Sequence, residues 1–254
     1  MTRLIAASLS LSVALAGSAE AACRNEASGE TTYVVCDFDP WKDDIRLFLN
    51  DESGAPFGDF GPLVAALDAN GETLLFAMNA GMYHKDRSPV GLYIENAEEK
   101  KKLSTKDGPG NFHLKPNGVF LIWDGYRGAH LLTSEDYRDR MAHDVVAYAT
   151  QSGPMLVIKG EIHPKFLVDA TSRKRRNGVG VRGDGSVVFA LSDAPVTLHE
   201  FATYFRDELN CPNALYLDGT ISRIFAPELD RNDPGLAMGP IVAVVAPSSE
   251  RKTP

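Results

Sequence analysis

Short apolar runs, some of which alternate with polar residues, recur along most of the chain, and they predict more strands than helices. Alternation with a period of two is typical of a half-buried strand. Turn residues, mostly Gly, Pro, Asn and Asp, separate many of these runs. The pattern predicts strands at 31–37, 45–49, 74–79, 91–95, 119–123, 148–152, 155–158, 215–217 and 241–245.

Two further patterns set the expected fold class. Residues 179–182 and 186–191 alternate on either side of Gly183-Asp-Gly185, which predicts a hairpin. Residues 198–209 carry apolar side chains at helical spacing behind a capping box of Thr197 and Glu200, and 61–70 predicts a shorter helix. We therefore expect a single α+β domain over 22–254, built on a large mixed and mainly antiparallel sheet. The charged run 98–102 is expected to be a solvated loop or hairpin tip.

The first residues are predicted to be a signal peptide rather than part of the fold. Arg3 precedes an apolar stretch over 4–16, and Ala19-Glu-Ala21 is a small-residue cleavage pattern. Cleavage after Ala21 predicts a periplasmic or secreted protein. No later stretch is long and apolar enough to span a membrane, and a formal net charge of −8 argues against general nucleic-acid binding.

The chain has three cysteines, of which two are expected to pair in an exported protein. Cys23 and Cys36 enclose a short loop and are the preferred pair, with two buried thiols as the alternative. Cys211 is then the remaining one. It is expected to be a small buried apolar residue rather than a nucleophile, because no His is beside it in sequence.

Several familiar motifs are absent or lack the context they need. Gly178-x-Gly180-x-x-Gly183 matches a dinucleotide fingerprint, but these glycines enter a hairpin and no helix follows them. The His residues show no zinc-ligand spacing, and no Gly-x-Ser-x-Gly elbow occurs. No cofactor is identified; a divalent metal is left open.

Polar clusters stand at the ends of predicted strands. Singly, each is explained as a turn, and the basic run 173–176 as solvated surface. Together they offer the amide, hydroxyl, carboxylate and guanidinium groups that a pocket for a sugar or phosphate needs. Asp218 ends a short apolar run, so it is either a turn residue or an active-site carboxylate. The clusters are 79–83, 111–118, 150–154, and Asp218-Gly219 with Ser222.

In their order along the chain these segments resemble the phosphodiester glycosidase domain family, in particular its bacterial exported branch. The resemblance is carried by Asn-Ala-Gly-Met-Tyr at 79–83, Pro-Val-Gly-Leu at 89–92, Gln-Ser-Gly-Pro-Met-Leu at 151–156, Arg-Asn-Gly-Val-Gly at 176–180, and Leu-Asp-Gly at 217–219 with Ser222. It implies an α+β fold and hydrolysis of a sugar–phosphodiester linkage. The family's glycine-rich run after the aspartate is here Gly-Thr-Ile-Ser, a departure close to the substrate.

The resemblance implies catalytic roles for Asp218, Arg176 and Asn79. Arg176 is expected to neutralise the phosphate, while Asp218 supports the oxocarbenium-like centre or activates water. The two should meet across one cavity. Glu95, Asp107 and Asp144 are unranked candidates for a second carboxylate. The polar clusters supply the expected substrate-binding residues, which are Tyr83, Asn117, Gln151, Ser152, Asn177, Gly219 and Ser222.

The expected partner is a glycan or glycoconjugate that contains a sugar phosphate. Two other hypotheses remain open from the sequence. One is a periplasmic protein that binds glycan or cell wall through the same pocket without turnover. The other is a periplasmic scaffold in which the polar clusters are only turns.

Overall fold

A computed structural model of the chain describes residues 22–123, 128–140 and 145–248. The predicted signal peptide, 1–21, lies outside the described residues, and so does Asp144. In chain order the strands are β1 (Cys23–Ser28), β2 (Thr31–Phe38), β3 (Asp44–Phe48), β4 (Glu72–Asn79), β5 (Tyr93–Glu95), β6 (Glu98–Lys101), β7 (Gly118–Trp123), β8 (Ala129–Thr133), β9 (Val146–Ser152), β10 (Met155–Ile158), β11 (Glu161–Ile162), β12 (Asn177–Val181), β13 (Val187–Ser192), β14 (Asn213–Asp218), β15 (Ile224–Ala226), β16 (Arg231–Asn232) and β17 (Ile241–Pro247).

These strands form three sheets, and every strand pair among the described residues is antiparallel. The largest sheet has the order β1-β2-β13-β12-β14-β10-β11, a second has β16-β15-β4-β17-β3, and a third has β6-β5-β9-β7-β8. The α+β fold class predicted from the sequence is confirmed. The run 98–102 begins with β6, an exposed strand that pairs with β5, so it is more ordered than a loop.

Three α-helices accompany the sheets in the described residues: α1 (Phe60–Ala69), α2 (Ser134–Arg140) and α3 (Leu198–Thr203). The capping box of Thr197 and Glu200 is present at the start of α3. The predicted helix at 198–209 changes character after Thr203, because Tyr204–Glu208 continue it as a wider π-helical turn. None of the described helices is long and apolar enough to cross a membrane.

The main core lies between the sheets and contains aromatic side chains from each of them. Phe189 of β13 packs 5.0 Å from the Phe76 ring of β4 and 5.9 Å from the Phe120 ring of β7. The other face of the seven-stranded sheet is covered by α3. Along β14, Leu215 and Leu217 therefore face the inter-sheet core, whereas Tyr216 faces the α3 side.

Two glycines of β12 allow α3 and its π-helical turn to lie directly on the sheet. A Cβ added at Gly178 would be 3.2 Å from the ring atoms of both Phe201 and Phe205. One added at Gly180 would be 2.5 Å from the Cys211 sulfur. These glycines serve close packing of the helix, which gives a physical reason for the spacing that superficially matches a nucleotide fingerprint.

The predicted disulfide is confirmed: Cys23 and Cys36 are bonded across β1 and β2, where they are direct partners in the strand register. Cys211 is a free cysteine and is buried beneath the π-helical turn. Burial raises the pKa of the Cys211 thiol to about 12. The thiol is therefore protonated at neutral pH and is a poor nucleophile.

Candidate active site

Asp218 is the last residue of β14, where the strand leaves the core. Its Oδ1 accepts hydrogen bonds from the backbone N–H groups of Gly219 (2.6 Å) and Thr220 (3.2 Å). Burial raises the pKa of the Asp218 carboxyl to about 6, although these N–H groups and the charge of Lys174 act to lower it. Asp218 thus makes the turn contacts typical of Asp-Gly. Its carboxyl also has a shifted pKa of the kind found at functional sites.

Tyr216 and Arg176 form a buried pair next to Asp218. The Arg176 guanidinium donates from Nη1 to the Tyr216 hydroxyl (3.1 Å), and its carbon lies 5.3 Å from the centre of the Tyr216 ring. Its Nε donates to the carbonyl of Val196 (2.7 Å) and its Nη2 to that of Ser172 (3.1 Å). Only 2% of Arg176 is exposed. Internal acceptors therefore engage three of its nitrogens.

The Tyr216 hydroxyl is held at a crowded point of the site. Burial raises its pKa to about 12, and the Asn111 amide lies beside it. A Cβ added at Gly219 would be 2.1 Å from this hydroxyl. Gly219 is therefore required for the close approach of the turn after β14 to Tyr216.

A cavity of about 240 Å³, here called the Lys174 cavity, opens beside these groups. Arg176 forms part of its wall together with Lys165, Lys174, His199 and Asn111, and no acidic side chain of the described chain lines it. Asp218 is adjacent to this cavity rather than part of its lining: its carboxyl senses the Lys174 charge, and its neighbour Gly219 is close to the Lys174 side chain. Arg176 and Asp218 both lie next to Tyr216.

The residues of the basic run 173–176 differ in their partners in the structure. Arg173 is paired with Glu200 (2.5 Å), and Arg175 is paired with Asp233 (3.3 Å). Lys174 forms no salt bridge within the described residues, and its side chain lines the cavity. Arg176 lines the same cavity without a salt bridge in the described part of the chain, but neutral internal acceptors hold its guanidinium, so Lys174 is the cation of this run that is left to face the cavity.

Asn79 and Asn177 form a fully buried amide pair behind Asp218. Asn177 donates from Nδ2 to the Asn79 backbone carbonyl (3.0 Å) and to its Oδ1 (3.1 Å). The Asn177 Oδ1 accepts from the backbone N–H of Asp218 (3.0 Å), and the Asn79 Oδ1 accepts from that of Arg223 (3.1 Å). Both side chains are 0% exposed. The pair connects β4 to β12 and fixes the backbone on which Asp218 is carried.

Gln151 and Ser152, expected from the sequence to bind substrate, also bond internally. The Gln151 Oε1 accepts from the N–H groups of Leu92 (3.0 Å) and Ser104 (2.9 Å), and its Nε2 donates to the Ser104 carbonyl and the Ser134 hydroxyl. The Ser152 hydroxyl donates to the Leu217 carbonyl (2.9 Å). Gln151 therefore holds the segment around Ser104, and Ser152 holds the end of β14.

The remaining predicted residues lie at different depths. Asn117 is buried and donates to the Phe112 carbonyl (2.9 Å), whereas the Ser222 hydroxyl donates to the Asp218 carbonyl (3.1 Å) and closes the turn. Tyr83 is only half-buried, and its hydroxyl donates to the Ala237 carbonyl (2.8 Å). Burial, and next to it the charge of Asp218, raises the pKa of Tyr83. Tyr83 therefore lies within electrostatic range of Asp218 and keeps part of its surface open to solvent.

The candidates for a second carboxylate are engaged elsewhere. Glu95 is paired with Lys100 (3.1 Å), and the exposed Asp107 is paired with Lys115 (2.8 Å). The third, Asp144, is one of the residues that the structure does not describe. Within the described ranges no group of three or more His, Cys, Asp or Glu side chains comes together as a metal site.

Sequence reasoning missed Tyr216, which the structure places beside Asp218, and Asn111 and Lys165, which line the Lys174 cavity. Tyr216 had a usable signal, because it precedes Asp218 by two residues in a strand and so shares its face. Asn111 lies in one of the polar clusters, but nothing in the sequence separates it from its neighbours there. Lys165 reaches the site through tertiary packing, for which the sequence offers no local signal.

Comparison with known proteins agrees with this architecture. The phosphodiester glycosidase family matches residues 72–245. An uncharacterized protein of Escherichia coli strain K12, YigE, is 35% identical over 190 residues, which is 73% of this chain and 71% of that protein. The chain therefore belongs to the phosphodiester glycosidase family, as the sequence motifs predict.

Solved structures of low sequence identity share the fold. The catalytic domain of zebrafish N-acetylglucosamine-1-phosphodiester alpha-N-acetylglucosaminidase, auto-inhibited by its pro-peptide, has a TM-score of 0.55 at 15% identity, covering 87% of this chain and 81% of that one. A putative exported protein of Burkholderia pseudomallei has a TM-score of 0.57 at 12% identity, covering 84% and 74%. Family membership supports a hydrolase role for the chain in general terms.

Proposed function

We propose that the protein is an extracytoplasmic hydrolase that cleaves the bond between a sugar anomeric carbon and a phosphodiester oxygen. The observation that carries this proposal is a carboxyl with a pKa of about 6 at a strand end, beside a basic cavity that no described acidic residue lines. The family to which the chain belongs and its zebrafish structural relative, a phosphodiester glycosidase by name, support the reaction class. The Cys23–Cys36 disulfide supports a location outside the cytoplasm.

Asp218 is the residue to which we assign the chemistry at the anomeric carbon. At neutral pH a carboxyl with a pKa of about 6 is mostly ionised, so it can accept a proton from water or stabilise positive charge on the sugar ring. Water then adds to the anomeric carbon while the phosphate oxygen leaves with the bonding electron pair. A phosphate is a good leaving group without protonation, so the reaction needs less from a second carboxylate than ordinary glycoside hydrolysis does.

Lys174 and Lys165 are assigned to the phosphate, with Arg176 acting one step behind them. Three Arg176 nitrogens are committed to internal acceptors, which leaves little of its guanidinium for a ligand. The two lysines line the same cavity and form no salt bridge in the described structure. In this proposal Arg176 contributes positive potential and positions the Tyr216 hydroxyl, so its predicted catalytic role becomes indirect.

The residues expected to bind substrate divide in the same way. Tyr83, which is half-buried and within electrostatic range of Asp218, and Gly219, whose N–H donates to the Asp218 carboxyl, are assigned to substrate contact. The other five are assigned to shaping the site, because each bonds to backbone or to another buried side chain: Asn117, Gln151, Ser152, Asn177 and Ser222. Asn79 joins this second group.

The test is release of reducing sugar from a panel of glycosyl-1-phosphodiesters by the purified protein and by Asp218→Asn. We expect turnover of at least one substrate by the wild type and a loss of about 1,000-fold or more in the variant. Asp184→Asn is the matched control. Asp184 also accepts a backbone N–H in a turn, that of Ser186 at 2.9 Å, but it belongs to the β12–β13 hairpin. Saturable binding of a phosphodiester without turnover would favour the non-catalytic glycan-binding hypothesis.

A further inference from the structure

A second basic cavity, here called the Lys101 cavity, lies near the proposed site and has no part in the chemistry described so far. Its volume is about 440 Å³, and its lining includes Lys101, Lys102, Lys106, His84 and His113. No acidic side chain among the described residues lines it. The three lysines form no salt bridge in the part of the chain that the structure describes. The cavity therefore presents several unpaired positive charges to solvent.

Two other cavities have a different charge composition. One of about 610 Å³ sets Arg46 against the acidic side chains Asp51, Glu52 and Glu72. The other, of about 440 Å³, sets Arg173 against Glu30, Glu200 and Glu208. In a chain with a formal net charge of −8, positive potential is thus concentrated at the Lys174 and Lys101 cavities. Such a concentration favours anionic ligands at those two places.

The two basic cavities flank the same short segment. The helical turn Asn111–His113 contributes Asn111 to the Lys174 cavity and His113 to the Lys101 cavity. On the other side, His84 follows Tyr83, whose pKa responds to the charge of Asp218. Asp218 is therefore connected to the Lys174 cavity through Lys174 and to the Lys101 cavity through the adjacent residues Tyr83 and His84.

The lysine-bearing segment 101–106 is fixed by hydrogen bonds to its backbone. Gln151 bonds both the N–H and the carbonyl of Ser104. The Lys115 ammonium donates to the Thr105 carbonyl (2.7 Å), and the His113 ring bonds the Lys106 carbonyl (3.1 Å). These bonds engage the backbone and leave the side chains of Lys101, Lys102 and Lys106 for a ligand. A held backbone lowers the ordering cost of binding.

We infer that the Lys101 cavity binds a second anionic group of the substrate, a further phosphate of the same molecule whose first phosphate lies in the Lys174 cavity. The preferred substrate is then a glycan chain with repeating phosphodiesters rather than a single glycosyl phosphodiester, an inference that rests on the function proposed for the Asp218 site. A ligand with regularly spaced phosphates matches two separated basic cavities, whereas a single phosphodiester uses only one.

The binding test uses inorganic polyphosphate of at least ten units and inorganic phosphate, measured by calorimetry at two salt concentrations. We expect the double variant Lys101→Met/Lys102→Met to weaken polyphosphate binding about 10-fold or more and to make it less salt-dependent, while inorganic phosphate is affected less because it can still occupy the Lys174 cavity. The control, Lys42→Met/Lys159→Met, removes the same charge outside both basic cavities. Equal polyphosphate affinity and salt dependence in the double variant and wild type would overturn the inference.

A kinetic test separates this inference from the proposed function. For an oligomer of three glycosyl phosphate repeats we expect the double variant to raise KM about 10-fold with kcat unchanged, and for the single repeat we expect no change. Absence of turnover on either substrate contradicts the proposed function, while the binding test remains decisive for the cavity. Turnover of both substrates with an unchanged KM on the oligomer contradicts the second anionic contact. Since Lys101 and Lys102 are exposed, equal thermal unfolding of variant and wild type is expected and shows that the fold is kept.

Discussion

The buried amide pair and the Lys174 cavity are neighbouring regions that treat their polar groups in opposite ways. Asn79 and Asn177 are fully buried, and they bond to each other and to backbone N–H groups. Asp218 keeps a carboxyl that burial makes harder to ionise, and Lys174 keeps an ammonium without a salt bridge in the described structure. The amide pair is satisfied without a ligand, whereas the charged groups would be better satisfied with one.

This difference indicates that the family motifs mix two kinds of residue. A buried polar group that is fully hydrogen-bonded stabilises the fold and sets geometry. A buried or confined charge without a full set of partners costs stability and is kept for a function. Because both kinds are polar residues at strand ends, the sequence motif alone does not separate them.

The largest expected effect comes from removing the Asp218 charge. Asp218→Asn preserves an oxygen that can accept from Gly219 and Thr220, so the turn is retained while the carboxylate is lost. We expect kcat to fall about 1,000-fold or more with an unchanged circular dichroism spectrum. If the variant retained wild-type turnover, Asp218 would be a structural residue like Asn79 and Asn177, and the proposed difference between the two regions would be wrong.

Removing a member of the buried amide pair should lower the stability of the fold. Asn177→Ala leaves the Asp218 N–H and the Asn79 side chain without their buried partner, and we expect a loss of about 2–4 kcal/mol in the free energy of unfolding. Chemical denaturation measures it. Asn25→Ala, at an exposed position of β1 with ordinary strand backbone, is the control and should lie within about 0.5 kcal/mol of wild type. A loss no larger than that of the control would mean that the pair is not structural.

Lys174 should respond in substrate binding rather than in stability. Lys174→Met removes a cation from the cavity wall, and we expect KM for a glycosyl phosphodiester to rise roughly 10- to 30-fold. Its unfolding temperature should stay close to the wild-type value, because no salt bridge is broken in the described structure. Lys159→Met is the matched control, with the same loss of charge outside the cavity. A marked fall in stability without a change in KM would reverse the assignment.

The smallest effect is the pH dependence of stability at Asp218. Its pKa rises from 3.8 to about 6 in the fold, so the folded state binds the proton more tightly than the unfolded state. The resulting penalty is absent below pH about 4, grows between pH 4 and 6, and is complete above pH 6. The shift corresponds to at most about 3 kcal/mol, and partial solvent access reduces it to about 1 kcal/mol.

Denaturation of wild type and Asp218→Asn across pH 3.5–8 measures this penalty. The variant should be more stable than wild type above pH 6, and the difference should vanish below pH 4. The activity of the wild type should fall on the acid side of pH about 6, as the carboxyl takes up its proton. A stability difference that is the same at all pH values would show that the Asp218 charge is not destabilising.

Much of the fold follows from local patterns in the sequence. The strands with a clear alternating or continuous apolar run, such as β2, β4, β7 and β17, and the capped helix α3 are all present. The strands missed are short or polar, for example the two-residue β11 and β16, and their pairing depends on what lies beside them. The π-helical turn after Thr203 was also missed, because a helical apolar stripe does not fix how the last turn closes.

The site was harder to predict than the fold for a physical reason. A strand followed by Asp-Gly identifies Asp218. Whether a side-chain amide binds substrate or is hydrogen-bonded inside the protein depends on which groups the tertiary fold places beside it. Gln151 and Ser104 are far apart in sequence, and their hydrogen bond depends on the segment around Ser104 lying against the third sheet. Lys165 reaches the cavity from a loop after β11. Sequence reasoning therefore located the site, but it could not separate the residues that stabilise the site from the residues assigned to substrate binding.

The order of the cysteines along the chain has a consequence for biogenesis. In a chain that crosses a membrane amino terminus first, Cys23 and Cys36 emerge together, long before Cys211. They are direct partners on adjacent strands, so under the proposed export their disulfide can form before the third thiol is delivered. Once delivered, Cys211 is enclosed beneath the π-helical turn, where oxidoreductases have no access to it. The later delivery of Cys211 and its burial both disfavour a wrong disulfide among the three cysteines.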